Sequence, residues 1–148
     1  MGETGHDILQ GLSEDECQRV EMLLTGKTYD KDCVLCREGE RGLGLILLTS
    51  GVVSVTKRDM GGDERLLTDL DAPAIVGELE LLTGDACAAT VTTKSTVEAS
   101  VLPIEIFERM LEQGERAAVK LLRNLGRALG KKLDASNEVF VDLAIWGR

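Results

Sequence analysis

The sequence predicts a mainly β domain with flanking helices, of the α+β class: a small barrel or jelly roll with an N-terminal helix and a long C-terminal helix. Three observations predict it. Between about residues 29 and 102, short apolar runs of strand length are separated by Gly, Asp and Pro. A capped amphipathic segment precedes this region. After Pro103 the apolar residues switch from alternation to helical spacing. Seven or eight short strands with regular turns are the pattern of such folds.

Each element has its own local warrant. Residues 1–10 read as a mobile N-terminal tail, and residues 11–148 as a single domain. Ser13 and Glu16 form a capping box, with Leu12 and Cys17 placed for a hydrophobic staple. Cys17, Val20, Leu23 and Leu24 share one face of a helix from Glu14 to Leu24, which Gly26 is placed to stop. Strands follow at Cys33–Arg37 and Leu43–Thr49, and Val53 and Val55 alternate with Ser54 and Thr56 as in a half-buried strand. The turn-forming run Asp59-Met60-Gly61-Gly62-Asp63 leads into a return strand at Glu64–Leu70. Ala74–Val76 runs into Gly77-Glu78, and Cys87–Thr93 and Thr96–Leu102 are Val- and Thr-rich strands joined by Lys94-Ser95. Pro103 suits a helix start, and Gly114 breaks that helix. A longer one runs from about Glu115 to Asn137, with Ala118, Leu122, Leu125, Leu129 and Leu133 at steps of three and four. Gly126 and Gly130 inside it fit close packing, either on the chain's own barrel or on a second copy. Val139–Trp146 is a further apolar run that packs on the body or on a partner.

Composition narrows the function. The 148 residues are 43% hydrophobic and only 3% aromatic, so the chain can bury a core, which aliphatic side chains must fill. No apolar stretch approaches the roughly 20 residues of a bilayer span, and the N-terminus lacks signal-peptide and myristoylation patterns. A net charge of −9 argues against broad nucleic-acid binding. The single His6 cannot build the clustered-histidine metal site of a cupin-like enzyme, so neither catalysis nor a bound metal is expected. Cys17, Cys33, Cys36 and Cys87 read as reduced thiols and small buried hydrophobes in a cytoplasmic protein. The Cys33-Val34-Leu35-Cys36 spacing stands alone, and residues three apart on a strand face opposite ways.

The informative segment is Val76-Gly77-Glu78-Leu79-Glu80-Leu81-Leu82-Thr83-Gly84-Asp85-Ala86-Cys87-Ala88-Ala89-Thr90-Val91. A Gly-Glu step after a strand, a short turn, then a small-residue strand can cradle a phosphate and a sugar. The glycine admits close backbone approach, turn N–H groups point at an anion, and the carboxylate accepts from a hydroxyl. With Arg37-Glu38-Gly39-Glu40 and the strand from Leu45 to Gly51, the chain from about Leu9 to Phe140 resembles a cyclic-nucleotide-binding domain of the catabolite-activator (cAMP receptor protein) type. The resemblance implies an eight-stranded double-stranded β-helix with helices at both ends, and a phosphate-binding cassette whose candidate residues are Gly77, Glu78, Leu79, Cys87, Ala88 and Ala89. It implies that Glu78 holds a ribose 2′-hydroxyl and that Ser136 and Asn137, on the long helix, contact the base.

The departures from that pattern matter as much. Cys87 stands where the family places the arginine that pairs with the cyclic phosphate, Glu80 stands where it has Ala, and Ala88 where many relatives keep a Ser. A neutral thiol cannot replace a bidentate guanidinium, so cAMP or cGMP affinity is expected to be weakened or lost. The chain ends at Arg148, with no room for a helix-turn-helix domain after the long helix, so a stand-alone regulatory or sensor domain without direct DNA binding is expected. Its expected partners are a second copy, through the long helix, and an unknown protein. The alternative is a ligand-independent protein-interaction module that retains the fold; it requires an occluded pocket.

Overall fold

A computed structural model describes the backbone of residues 7–146 and the side chains of residues 8–134. The elements run α1 (Glu14–Leu23), β1 (Thr25–Tyr29), β2 (Val34–Cys36), β3 (Gly44–Ser50), β4 (Val52–Arg58), β5 (Glu64–Asp71), β6 (Ala74–Val76), α2 (Glu78–Thr83), β7 (Thr90–Thr93), β8 (Val97–Pro103), α3 (Ile104–Glu112) and α4 (Arg116–Trp146). The strands pair antiparallel into two four-stranded sheets, β1-β8-β3-β6 and β2-β7-β4-β5. This is the jelly roll with flanking helices that the alternation and turn spacing predict.

Strand β3 shows why one run is continuously apolar while its neighbours alternate. Successive residues face opposite sides of a sheet. Leu45 and Leu47 pack with Phe107, Met110, Leu121 and Leu125 of α3 and α4, whereas Ile46 and Leu48 pack with Val53, Val91, Val97 and Val101 inside the barrel. Both faces are buried, so neither tolerates a polar residue. Strand β5, at a sheet edge, is almost wholly exposed and carries Glu64, Arg65, Asp69 and Asp71, which blunt the edge against other strands.

At the N-terminal end the capping box forms as expected: Glu16 N–H donates to Ser13 Oγ at 3.2 Å, and Ser13 N–H donates to Glu16 Oε1 at 2.8 Å. The helix ends at Leu23, however, and Gly26 does not stop it; Gly26 lies inside β1, opposite Ser100 of β8. The barrel therefore begins at Thr25 rather than Tyr29. Thr25–Tyr29 has no apolar alternation because four of its five residues are exposed on an edge, and its backbone pairing with β8 makes it a strand. Residues 7–10 are not a loose tail. Asp7–Leu9 form a 3-10 turn, Ile8 is buried, and the buried Asn124 of α4 donates from Nδ2 to the carbonyls of Ile8 (2.6 Å) and Gln10 (2.9 Å). Residues 1–6, with His6, lie outside the described residues.

Helix α4 continues through the Val139–Trp146 run. Its core face is Ala117, Ala118, Leu121, Asn124 and Leu125. Leu122 and Leu133, expected on that face, are instead exposed together with Val119, and among the described residues nothing lies within 4 Å of where a Cβ on Gly126 or Gly130 would be. The two glycines therefore do not pack on the barrel. Among the described residues, no helix is long and apolar enough to cross a membrane.

Candidate functional site

The site is built where β6 turns into α2. Gly77 takes φ 86°, a left-handed conformation that favours glycine. A Cβ there would collide with the carbonyl oxygen of Gly44, so glycine is required on two counts. The six residues of α2 then fold back, Leu81 anchors in the core beneath the helices, and Gly84 (φ 77°) closes the turn.

A cavity of about 420 Å³ opens beside this turn. Gly77, Glu78, Leu79, Glu80, Ala88 and Ala89 of the cassette line it together with Val55, Leu70, Ile75 and Val91, and Lys132 reaches it from α4. The fold thus brings five of the six expected cassette residues onto one cavity. Ser136 and Asn137 fall within α4, but their side chains lie outside the described residues.

Glu78 is the best-defined group in the site. Its side chain is 12% exposed, and Oε1 accepts from Lys132 Nζ at 2.6 Å. Oε2 is buried without a hydrogen-bond partner among the described residues. A buried carboxylate oxygen without a donor is costly, and a hydroxyl arriving in the cavity would relieve that cost. Lys132 escaped sequence reading because it is 54 residues from Glu78. The one signal was helical spacing: it lies one turn before Ser136 and so on the same face of the helix.

Glu80 is also buried, at 8% exposure. Burial pushes its carboxyl above the usual range, opposed by the Ala88 N–H and reinforced by the Glu78 charge. Cys87, the sixth expected residue, lies behind the cavity wall, 3% exposed. It does not begin a strand, since β7 starts at Thr90. Instead its N–H donates to the Glu40 carbonyl at 2.8 Å, and its carbonyl accepts from Gly39 N–H at 2.9 Å. The Arg37-Glu38-Gly39-Glu40 turn thereby clamps the cassette loop. Lys57 adds to the clamp from outside, donating to the Ala88 carbonyl and to Glu38.

The expectation of four reduced thiols fails here. Cys36 and Cys87 are joined as a disulfide, while Cys17 and Cys33 are free. The Cys33/Cys36 spacing plays no part in it. The partners are 51 residues apart in sequence, and the β2–β7 pairing, with Cys36 opposite Val91, brings them together.

Fold and pocket together define a jelly-roll module with a cavity beside a helix-turn cassette. The chain belongs to the cyclic nucleotide-binding domain family, whose model matches residues 26–114. It is 34% identical over 130 residues to glutaminase 1 of Bradyrhizobium diazoefficiens, covering 88% of this chain and 20% of that protein. The chain thus spans about a fifth of that relative's length. A cyclic nucleotide-binding domain from Methylobacillus flagellatus superposes with a TM-score of 0.78 at 22% identity, covering 88% of this chain and 74% of that one. The regulatory subunit of a cAMP-independent protein kinase A from Trypanosoma brucei superposes with a TM-score of 0.68 at 27% identity, covering 86% of this chain and 48% of that one. That subunit's structure is of a variant with Glu→Ala, Thr→Arg and Val→Ala substitutions, bound to cAMP in the A site.

Proposed function

We propose that this chain is a regulatory or sensor domain that takes a sugar-bearing ligand of the cyclic-nucleotide type in the cavity beside Gly77 and Glu78, with affinity for cAMP and cGMP weakened by Cys87. The observation that carries the reading is the buried Oε2 of Glu78, which has no partner among the described residues and is an acceptor suited to a sugar hydroxyl. Lys132 occupies the other oxygen and fixes the carboxylate's orientation. The phosphate half of the site is poor. Glu80 lines the cavity, and Lys132, its lining cation among the described residues, is already paired with Glu78. The trypanosomal variant that binds cAMP gained an arginine and lost a glutamate at the same spacing that separates Cys87 from Glu80 here. Its third substitution installs an alanine directly after the new arginine, as Ala88 directly follows Cys87 here.

The protein-interaction alternative called for an occluded pocket, and an open cavity of about 420 Å³ speaks for a ligand. We further propose a homodimer through α4. It is supported by exposed Val119, Leu122 and Leu133 on a stripe that includes the uncovered Gly126 and Gly130, distinct from the core face. Sedimentation at tens of micromolar tests it, and a strict monomer refutes it.

Isothermal titration calorimetry with cAMP and cGMP tests the ligand reading. Loss of a bidentate guanidinium, at about 1.5–3 kcal/mol per charge-assisted bond, weakens binding by roughly two to four orders of magnitude. The expected result is a dissociation constant of about 100 μM or weaker. Micromolar or tighter binding refutes the weakened-cassette reading.

A further inference from the structure

Cys36, Glu80 and Cys87 come from three separate segments: the end of β2, the middle of α2 and the loop before β7. Their ligand atoms, two sulfurs and a carboxylate oxygen, all lie within 4.8 Å of one another. All three residues are buried, at 7%, 8% and 3% exposure respectively. Glu80 forms no salt bridge with Lys132, whose ammonium is engaged by Glu78. Buried carboxylates are ordinarily paired with a cation or hold a metal.

We infer that, once the disulfide is reduced, Cys36, Cys87 and Glu80 bind one thiophilic divalent cation of the zinc class at the floor of the cavity, leaving a coordination position open toward it. A reducing dithiol exchanges its own two thiols for the Cys36–Cys87 disulfide, leaving two protein thiols and the reductant's disulfide. The cation then displaces one proton from each thiol, and two thiolates and a carboxylate surround it. Zinc bonds of about 2.3 Å to sulfur and 2.0–2.2 Å to carboxylate oxygen hold ligand atoms roughly 3.5–4 Å apart, a spread that the 4.8 Å cluster and the 6.3 Å Cα separation of the cysteines accommodate. Soft thiolates select zinc over magnesium or calcium.

Access fits the same picture. Cys36 and Glu80 line the cavity. From the other side Gly42 closes over the pair, where even a Cβ would come within 3.1 Å of the Cys87 sulfur. The open coordination position therefore faces the cavity. Three protein ligands and one open position are the arrangement of a zinc that takes an exogenous ligand. With two thiolates and a carboxylate the bound centre carries a net charge of −1, which disfavours a phosphate there, and because metal loading is read with no nucleotide present its failure is distinguishable from failure of the nucleotide reading. Metal-ligand spacing rules detect pairs within one segment, and these three ligands come from three.

The test uses the full chain, reduced with a dithiol, freed of reductant under argon and titrated with Co²⁺. The expected result is one Co²⁺ per chain, with thiolate-to-cobalt charge-transfer absorption and the visible bands of a tetrahedral centre, all displaced by Zn²⁺. Cys36→Ser and Cys87→Ser abolish the charge-transfer band. Glu80→Gln weakens affinity by at least the roughly 10–100-fold that outer-shell partners are worth. The Cys17→Ser/Cys33→Ser double variant retains the site. A second measurement covers variants that fail to fold: alkylation of the reduced wild type, read by mass spectrometry, in which Zn²⁺ protects Cys36 and Cys87 and leaves Cys17 and Cys33 reactive. Absence of the band in the reduced wild type, its survival in Cys87→Ser, its loss in Cys17→Ser/Cys33→Ser, or protection of any other pair overturns the assignment.

Discussion

Replacing Cys87 by arginine tests the phosphate half of the cassette, and the structure states how large the effect is and why one substitution is insufficient. Two charge-assisted hydrogen bonds from a guanidinium are together worth about 3–6 kcal/mol, or roughly two to four orders of magnitude in affinity. Glu80 stands in the way. Its carboxylate oxygen lies within 4.8 Å of the Cys87 sulfur, inside the reach of an arginine side chain starting there, and an ion pair closed to about 4 Å is worth about 4 kcal/mol at an effective permittivity near 20. A new arginine is therefore captured by Glu80, and Cys87→Arg alone recovers less than tenfold. Cys87→Arg/Glu80→Ala releases the guanidinium and tightens cAMP binding by about 100-fold or more. Both variants lose the disulfide, which closes a loop across 51 positions and is worth about 4 kcal/mol on the loop-entropy account. Cys87→Ser is the control for that loss, and affinities are compared by calorimetry rather than by melting temperature across variants. A double variant whose cAMP affinity lies within tenfold of the Cys87→Ser control refutes the reasoning.

Four further outcomes are expected. Gly77→Ala forces a side chain into a left-handed backbone and against the Gly44 carbonyl, at a cost of about 2 kcal/mol or more and a fall in melting temperature of roughly 4–8 °C by calorimetry. Lys132→Ala leaves the Glu78 carboxylate without its cation and lowers the residual affinity for cAMP about three- to tenfold, measured by calorimetry on the otherwise unaltered chain. Carboxylates held below their ordinary range, Glu16 by Lys120, Glu38 by the Arg58 N–H and then Lys57, and Glu115 by Arg19, favour the folded chain while they are ionised. Because their native values are depressed, that stabilisation is complete above a pH of about 4.5 and is lost as pH falls below it, so melting curves from pH 6 to 3 decline in that lower window. Leu122→Glu, on the exposed stripe of α4, converts the proposed dimer to monomer in sedimentation without lowering the melting temperature of the monomeric fold.

Local chemistry made much of this chain legible in advance. The Ser13/Glu16 box and the Asp59–Asp63 turn depend on residues within a few positions of one another, and they form as read; Val52–Arg58 is a strand as expected, but Ser54 is buried beside Val53, so its burial does not alternate. The Gly77-Glu78 step was legible because a left-handed glycine and a carboxylate at a helix start are a local necessity of the turn. Such local patterns point to the jelly roll and the flanking helices, while the position of the cassette also rests on the resemblance to cyclic-nucleotide-binding domains.

What the sequence left open depends on which distant segments meet. Thr25–Tyr29 is a strand because β8 lies beside it; its own side chains, mostly exposed, carry no strand pattern. Ile8 is held because Asn124 spends its amide on the backbone there. Leu122 and Leu125 are both leucines at helical spacing, yet only docking on the barrel decides that one is buried and the other exposed. Cys36 meets Cys87, and Lys132 meets Glu78, across 51 and 54 residues. Local preference acts over a turn or two of chain, whereas the identity of a pocket's partners is settled by sheet register and helix docking, which sum contributions from the entire core.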